Sequence, residues 1–141
     1  MCSSDLNLQV WARRAMDKLV RIVQDLGLES DVAVQEQLGR FEAEVEAIRI
    51  TGIRAMASVS QGAAPGPESS ILKILWARTV QQINRYSIEL RTTAGVLVDD
   101  EQAGDIVHHY LRSRGHSIEG GSDEIMKSII AERVLGLPRS R

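Results

Sequence analysis

Ile118-Glu119-Gly120-Gly121-Ser122-Asp123-Glu124-Ile125, followed by Met126-Lys127-Ser128-Ile129-Ile130-Ala131-Glu132-Arg133-Val134-Leu135-Gly136-Leu137-Pro138-Arg139, carries two signals in sequence. An adjacent glycine pair allows a tight, Cβ-free turn in which backbone can approach a ligand closely. Ser-Asp-Glu then leads into an amphipathic helix expected over residues 122–135. The N–H groups that open such a helix favour negative charge.

Upstream the same helical period repeats. Leu8, Trp11, Ala15, Leu19, Ile22 and Leu26 recur at steps of three and four, so they predict one apolar helical face that stops near Gly27. Asp31 offers an N-cap to a second stripe: Val34, Leu38, Phe41, Val45, Ile48, Met56 and Val59. Gly52 interrupts it, at a cost near ~1 kcal/mol or for the sake of a close helix contact. Glycine and proline breakers between residues 61 and 70 precede a third stripe, Leu72, Leu75, Thr79, Ile83, Tyr86 and Leu90. Pro67 suits the first turn of that helix. Residues 92–101 read as a loop with Gly95, and a fourth helix is expected over 102–114. Alternation of period two is absent. Helices that each carry one apolar stripe must pack together, so the expected fold is all-α: an antiparallel up-and-down bundle of four to five helices.

The 141 residues suffice for one domain with a real core. With 17 basic against 19 acidic residues there is no basic field for nucleic acid. No apolar run reaches the ~20 residues of a membrane span, and the start has no signal-peptide pattern. Cys2, the single cysteine, excludes an internal disulfide and a cysteine-rich metal site. A soluble, cytoplasmic protein is expected. Residues 1–6 are expected to be a non-native or disordered start, and residues 7–141 the helical domain.

The stretch from Ile118 to Arg139 closely resembles the C-terminal signature of acyl-CoA dehydrogenases. That signature is a glycine pair, Thr-Ser-Glu-Ile-Gln, and a run like Ile-Ile-Ala-Glu-Arg-Val-Leu-Gly-Leu-Pro-Arg. Three further stretches resemble the family. Asp31-Val32-Ala33-Val34-Gln35-Glu36-Gln37-Leu38 with Val45-Glu46-Ala47-Ile48-Arg49 is similar to its second bundle helix. Gly66-Pro67-Glu68-Ser69-Ser70-Ile71-Leu72-Lys73 is similar to the Gly-Pro-Glu-Gly-Ser-x-x-Lys entry of many bacterial members. Leu111-Arg112-Ser113-Arg114 resembles the segment before the glycines. The resemblance covers residues 7–139, the C-terminal helical domain of such enzymes, so the chain is expected to be an N-terminally truncated fragment.

The resemblance implies FAD as cofactor, an acyl-CoA thioester as substrate, an electron-transfer acceptor and a tetramer of identical or paralogous subunits. In the family a carboxylate removes the α-proton while the flavin takes a hydride from the β-carbon. Gly121, Ser122, Asp123 and Glu124 fall on positions that touch FAD, although Ser122 or Asp123 also suits a plain helix cap. Gly120 and Gly121 fall beside the substrate. Glu119 is the candidate base. Aligned without a gap, however, it stands one residue before the family's glutamate, whose place is taken by Gly120, and a proton acceptor must come within about 2.6–3.2 Å of its proton. An ordinary helix-flanking glutamate is the competing reading. Thr92 and Thr93 replace the glycine pair of the family's flavin loop across residues 89–95, and its Arg-x-x-Phe segment is not recognisable near Arg21.

The remaining residues read as structural. His108, His109 and His116 lack further ligands at metal spacing, so no metal is expected. Arg112 and Arg114 are expected to pair with carboxylates, Trp11 and Trp76 to lie in the core, and Ser69, Ser70 and Lys73 to cap a helix. Two readings of function outside the dehydrogenase class stay open. One is a non-catalytic helical assembly subunit or remnant; the other is a related acyl-CoA oxidase or flavin monooxygenase.

Overall fold

The computed structural model describes residues 3–62, 68–91 and 101–139. These form α1 (Ser3–Asp25), α2 (Val32–Ser60), α3 (Glu68–Arg91), α4 (Glu101–Arg114) and α5 (Asp123–Arg133), with a 3-10 turn at Gly115–Ser117 between the last two. No strand occurs among the described residues, and the helices make the expected antiparallel up-and-down bundle. The expectations for Met1, Cys2, Pro67, Gly95 and residues 92–100 of the loop expected over 92–101 lie outside the described residues, while Glu101 opens α4 instead of ending that loop.

Local chemistry sets the helix ends. Asp31 Oδ1 accepts from the N–H of Ala33 at 2.8 Å and of Val34 at 3.1 Å, which satisfies two donors that the first turn of α2 leaves open. At the end of α1, Gly27 adopts φ +66°, Leu28 N bonds Val23 O and Gly27 N bonds Gln24 O. That is a Schellman close, and it folds Leu28 back onto the core that holds Val23.

α3 is the hub, packed against α1, α2, α4 and α5. Leu72, Trp76, Ala77, Val80 and Ile83 are buried on it, so apolar residues cover more than the single stripe expected. The main buried cluster draws only on α1, α2 and α3, including Leu19 and Val23 of α1 and Phe41, Val45 and Ile48 of α2. Phe41 meets Tyr86 edge-on at 5.8 Å, a favoured aromatic geometry.

Three expectations need correction. Trp11 is 45% exposed, because the buried face of α1 runs through Leu8, Ala12, Met16, Leu19 and Val23 instead. Met56 is likewise exposed. Gly52 lies inside an unbroken α2, and a Cβ there would meet Gln9 at 3.6 Å and Leu72 at 3.9 Å. Those are ordinary contacts, so no close helix approach demands glycine.

Polar ties fix how the helices line up. Arg13 holds Glu42 through two bonds of 2.8 and 2.6 Å, Lys18 reaches Asp105 at 2.7 Å, and Gln81 donates to Ser113 O at 2.9 Å. Exposed ion pairs add at most about 1 kcal/mol each, so packing supplies the stability and these contacts select the alignment.

Candidate functional site

The glycine turn is built from the end of α4. The 3-10 turn at Gly115–Ser117 reverses the chain, with Ile118 N and Glu119 N both bonded to Gly115 O. Gly120 then takes φ +70° and Gly121 φ +114°, conformations that L side chains rarely adopt. A Cβ on Gly121 would lie 2.2 Å from Met126 Cε, whereas one on Gly120 would point into open space. Ser122, in extended conformation, caps α5, its hydroxyl 3.5 Å from Ile125 N. This long bond makes it a looser cap than Asp31.

Lys73 of α3 holds the turn from behind. Only 9% exposed, it donates from Nζ to Gly121 O at 2.7 Å and to Asp123 Oδ1 at 3.2 Å. Asp123 therefore turns inward to an ammonium, which neutralises its charge at the helix start. Lys73 is a correction to the sequence reading, which assigned it to capping. The available signal was its place at i, i+3 and i+7 with Trp76 and Val80, a cation within an apolar stripe.

Glu119 is tied down. Arg112 Nη2 donates to its Oε2 at 2.7 Å and Nη1 to its Oε1 at 3.3 Å, and His116 Nδ1 meets Oε1. The Arg112 hydrogen bonds, then that of His116, hold the carboxyl below the usual carboxylate range, only partly opposed by burial. A carboxylate so held is a weaker base than a free one. Glu124 is exposed, and its carboxyl is also lowered, first by its own backbone N–H and then by the Ser122 hydroxyl.

Aromatic side chains stand beside these groups. Trp76, 2% exposed, lies 4.3 Å from the His116 ring and 5.7 Å from that of Trp11, measured between centroids. Its Nε1 has no hydrogen-bond partner among the described residues. Trp11, Trp76 and Arg112 form a wall shared by two clefts. One, of about 480 Å³, also meets Leu8, Lys73, Glu119 and Gly120. The other, of about 520 Å³, also meets Arg14, Lys18, His109 and His116.

The structure thus brings Glu119, Gly120 and Lys73 to one cleft, with Gly121, Ser122, Asp123 and Glu124 along the turn beyond it. His109 pairs with Asp105 and His116 with Glu119, and among the described residues no group of three or more potential ligands could hold a metal. Arg114 lies over the Tyr110 ring at 4.7 Å and bonds Gln81 O rather than a carboxylate, which corrects that expectation. No described helix is long and apolar enough to cross a membrane.

Five helices, with a clamped glycine turn before the last, define a helical-bundle domain with a candidate site at that turn. Residues 7–135 match the family model of the acyl-CoA dehydrogenase C-terminal domain. The chain belongs to the acyl-CoA dehydrogenase family. It is 32% identical over 136 residues to acyl-CoA dehydrogenase IpdE1 of Mycolicibacterium smegmatis, covering 96% of this chain and 33% of that protein. It is 33% identical over 124 residues to acyl-CoA dehydrogenase FadE34 of Mycobacterium tuberculosis, covering 88% and 16%. The chain thus spans a third or less of the length of these curated relatives. Among solved structures it resembles the Tcur3481-Tcur3483 steroid ACAD, with a TM-score of 0.82 at 22% identity over 97% of this chain and 38% of that one. It also resembles the ChsE4-ChsE5 complex from Mycobacterium tuberculosis, with a TM-score of 0.74 at 22% identity over 92% and 36%. At that identity the likeness concerns the fold.

Proposed function

We propose that this chain serves as the C-terminal helical domain of an FAD-dependent acyl-CoA dehydrogenase acting in the cytoplasm. It contributes cofactor contacts and oligomer surface to the α,β-dehydrogenation of an acyl-CoA thioester. The observation that carries the reading is the clamped turn. Gly120, in a left-handed conformation, leaves an open, Cβ-free approach, and Gly121 beside it is covered on its Cβ side by Met126. The Lys73 ammonium offsets the charge that Asp123 would otherwise set against a diphosphate. These residues fit a flavin nucleotide. Gly121, the Ser122 hydroxyl and the Asp123 N–H would hold it, joined by the Glu124 N–H once that group leaves its own carboxylate, while Gly120 and Gly121 border the substrate. When bound, the flavin supplies the acceptor for the hydride leaving the β-carbon.

Glu119 faces the cleft beside Gly120, and for it to accept the α-proton the Arg112 and His116 contacts must first loosen. That engagement also favours the second reading, a non-catalytic assembly subunit whose base is supplied by a partner. Exposed Leu111, Ile118, Ile125, Leu135 and Leu137 give the domain an apolar surface for identical or paralogous subunits. Similar structures whose names join two proteins support a second subunit as partner, and a tetramer is the assembly proposed. Reoxidation would require a separate electron-transfer acceptor.

Titrating FAD against the chain and following flavin fluorescence tests the assignment. Saturable quenching that Gly121→Ala weakens several-fold supports it. Quenching that never saturates, or is indifferent to Gly121→Ala, would overturn it.

A further inference from the structure

We infer that Lys73 is a positioning residue which sets the direction and donor strength of the Ser122 N–H. A buried ammonium is costly unless its donors are used, and both contacts made by Lys73 fall on the turn, at Gly121 O and Asp123 Oδ1. Gly121 O and Ser122 N–H belong to the same planar trans peptide, so they point in opposite directions. Holding the oxygen toward α3 therefore aims the N–H away from it. A cation on the carbonyl also polarises the peptide and makes that N–H a stronger donor. The Ser122 N–H bonds to no described residue, so it is free for a ligand.

Lys73 is the described contact that holds the oxygen of this peptide, whereas the Ser122 cap bonds engage the next carbonyl and the hydroxyl. Gly120 and Gly121 have wide backbone freedom, and α5 buries no residue that would anchor its start by packing. The clamp spans 48 residues of sequence to Gly121, so it links the core of the bundle directly to the site. This inference rests on the proposed cofactor reading only for the identity of the ligand.

The test uses the full chain as wild type, Lys73→Met and Lys73→Arg, with the Ser122 amide resonance, amide hydrogen exchange and FAD titration as readouts. In Lys73→Met the Ser122 resonance should shift, and exchange at Ile125 and Met126, whose N–H groups bond Ser122, should accelerate about tenfold or more. Exchange at Val45 and Ile48 should stay as in wild type, and FAD binding should weaken about fivefold or more. Lys73→Arg, which keeps donors at this position, should recover most of both effects. Should Lys73→Met fail to fold, Lys73→Gln, polar but shorter, is read in the same way. An unmoved Ser122 resonance overturns the inference. So does a loss of protection spread evenly through α1 to α3, or a displaced turn that leaves FAD binding intact. A turn that responds in a chain showing no saturable FAD binding even as wild type would sustain the positioning role and sink the cofactor reading.

Discussion

Replacing Gly121 with alanine separates two penalties that Gly120→Ala incurs only in part. At Gly121 the φ of +114° strains an L residue by about 1–3 kcal/mol. The new Cβ would also lie 2.2 Å from Met126 Cε, so Met126 must leave its position, for about another 0.5–1.5 kcal/mol. At Gly120, φ is +70° and the space is open, so only a backbone cost of about 1–2 kcal/mol applies. Adding Met126→Ala should relieve the Gly121→Ala clash but not its backbone strain, leaving a coupling of about 0.5–1.5 kcal/mol in a double-mutant cycle. Urea unfolding by circular dichroism measures these differences. Hydrogen exchange at residues 121–126 should accompany it, because α5 buries no residue and can absorb strain by opening locally. Equal costs at the two glycines, or no coupling with Met126, by both measurements would refute the reasoning.

Gly52→Ala should stabilise the chain by about 0.5–1 kcal/mol, since α2 is regular there and the neighbours stand at ordinary contact distance; a lower urea midpoint would show hidden crowding. Asp31→Ala should cost about 1 kcal/mol and Ser122→Ala about 0.5 kcal/mol, because the Asp31 bonds are short and the Ser122 bond is long; denaturant midpoints decide the order. Glu119 is held below its unfolded pKa, so its stabilising contribution is present above the ordinary glutamate range, near ~4.3, and is lost as pH falls through the lower folded value. A carboxyl NMR titration should find that depressed midpoint, and Arg112→Gln should raise it; a midpoint insensitive to Arg112→Gln would contradict the pairing.

Helix number, the Asp31 cap, the Gly27 stop and the Ser122 start were legible, because each depends on a few adjacent residues whose preferences act locally. The buried face of α1 was harder to read. A tryptophan marks a stripe more loudly than an alanine, yet Ala12 is buried and Trp11 is 45% exposed at the wall between two clefts. Lys73 was assigned to capping because lysines ordinarily face water, and its partners lie 48 and 50 residues away. The links from Arg112 and His116 to Glu119 depend on how the 3-10 turn reverses the chain, which side-chain spacing alone does not encode.

Because the main apolar cluster is drawn from α1, α2 and α3 alone, its sequence is complete once synthesis has passed Arg91. The later helices pack on α3 from outside that cluster, where α4 buries Ile106 and Ser113. The glycine hinge is thus synthesised after every residue of that cluster, and damage confined to it should leave most of the body folded.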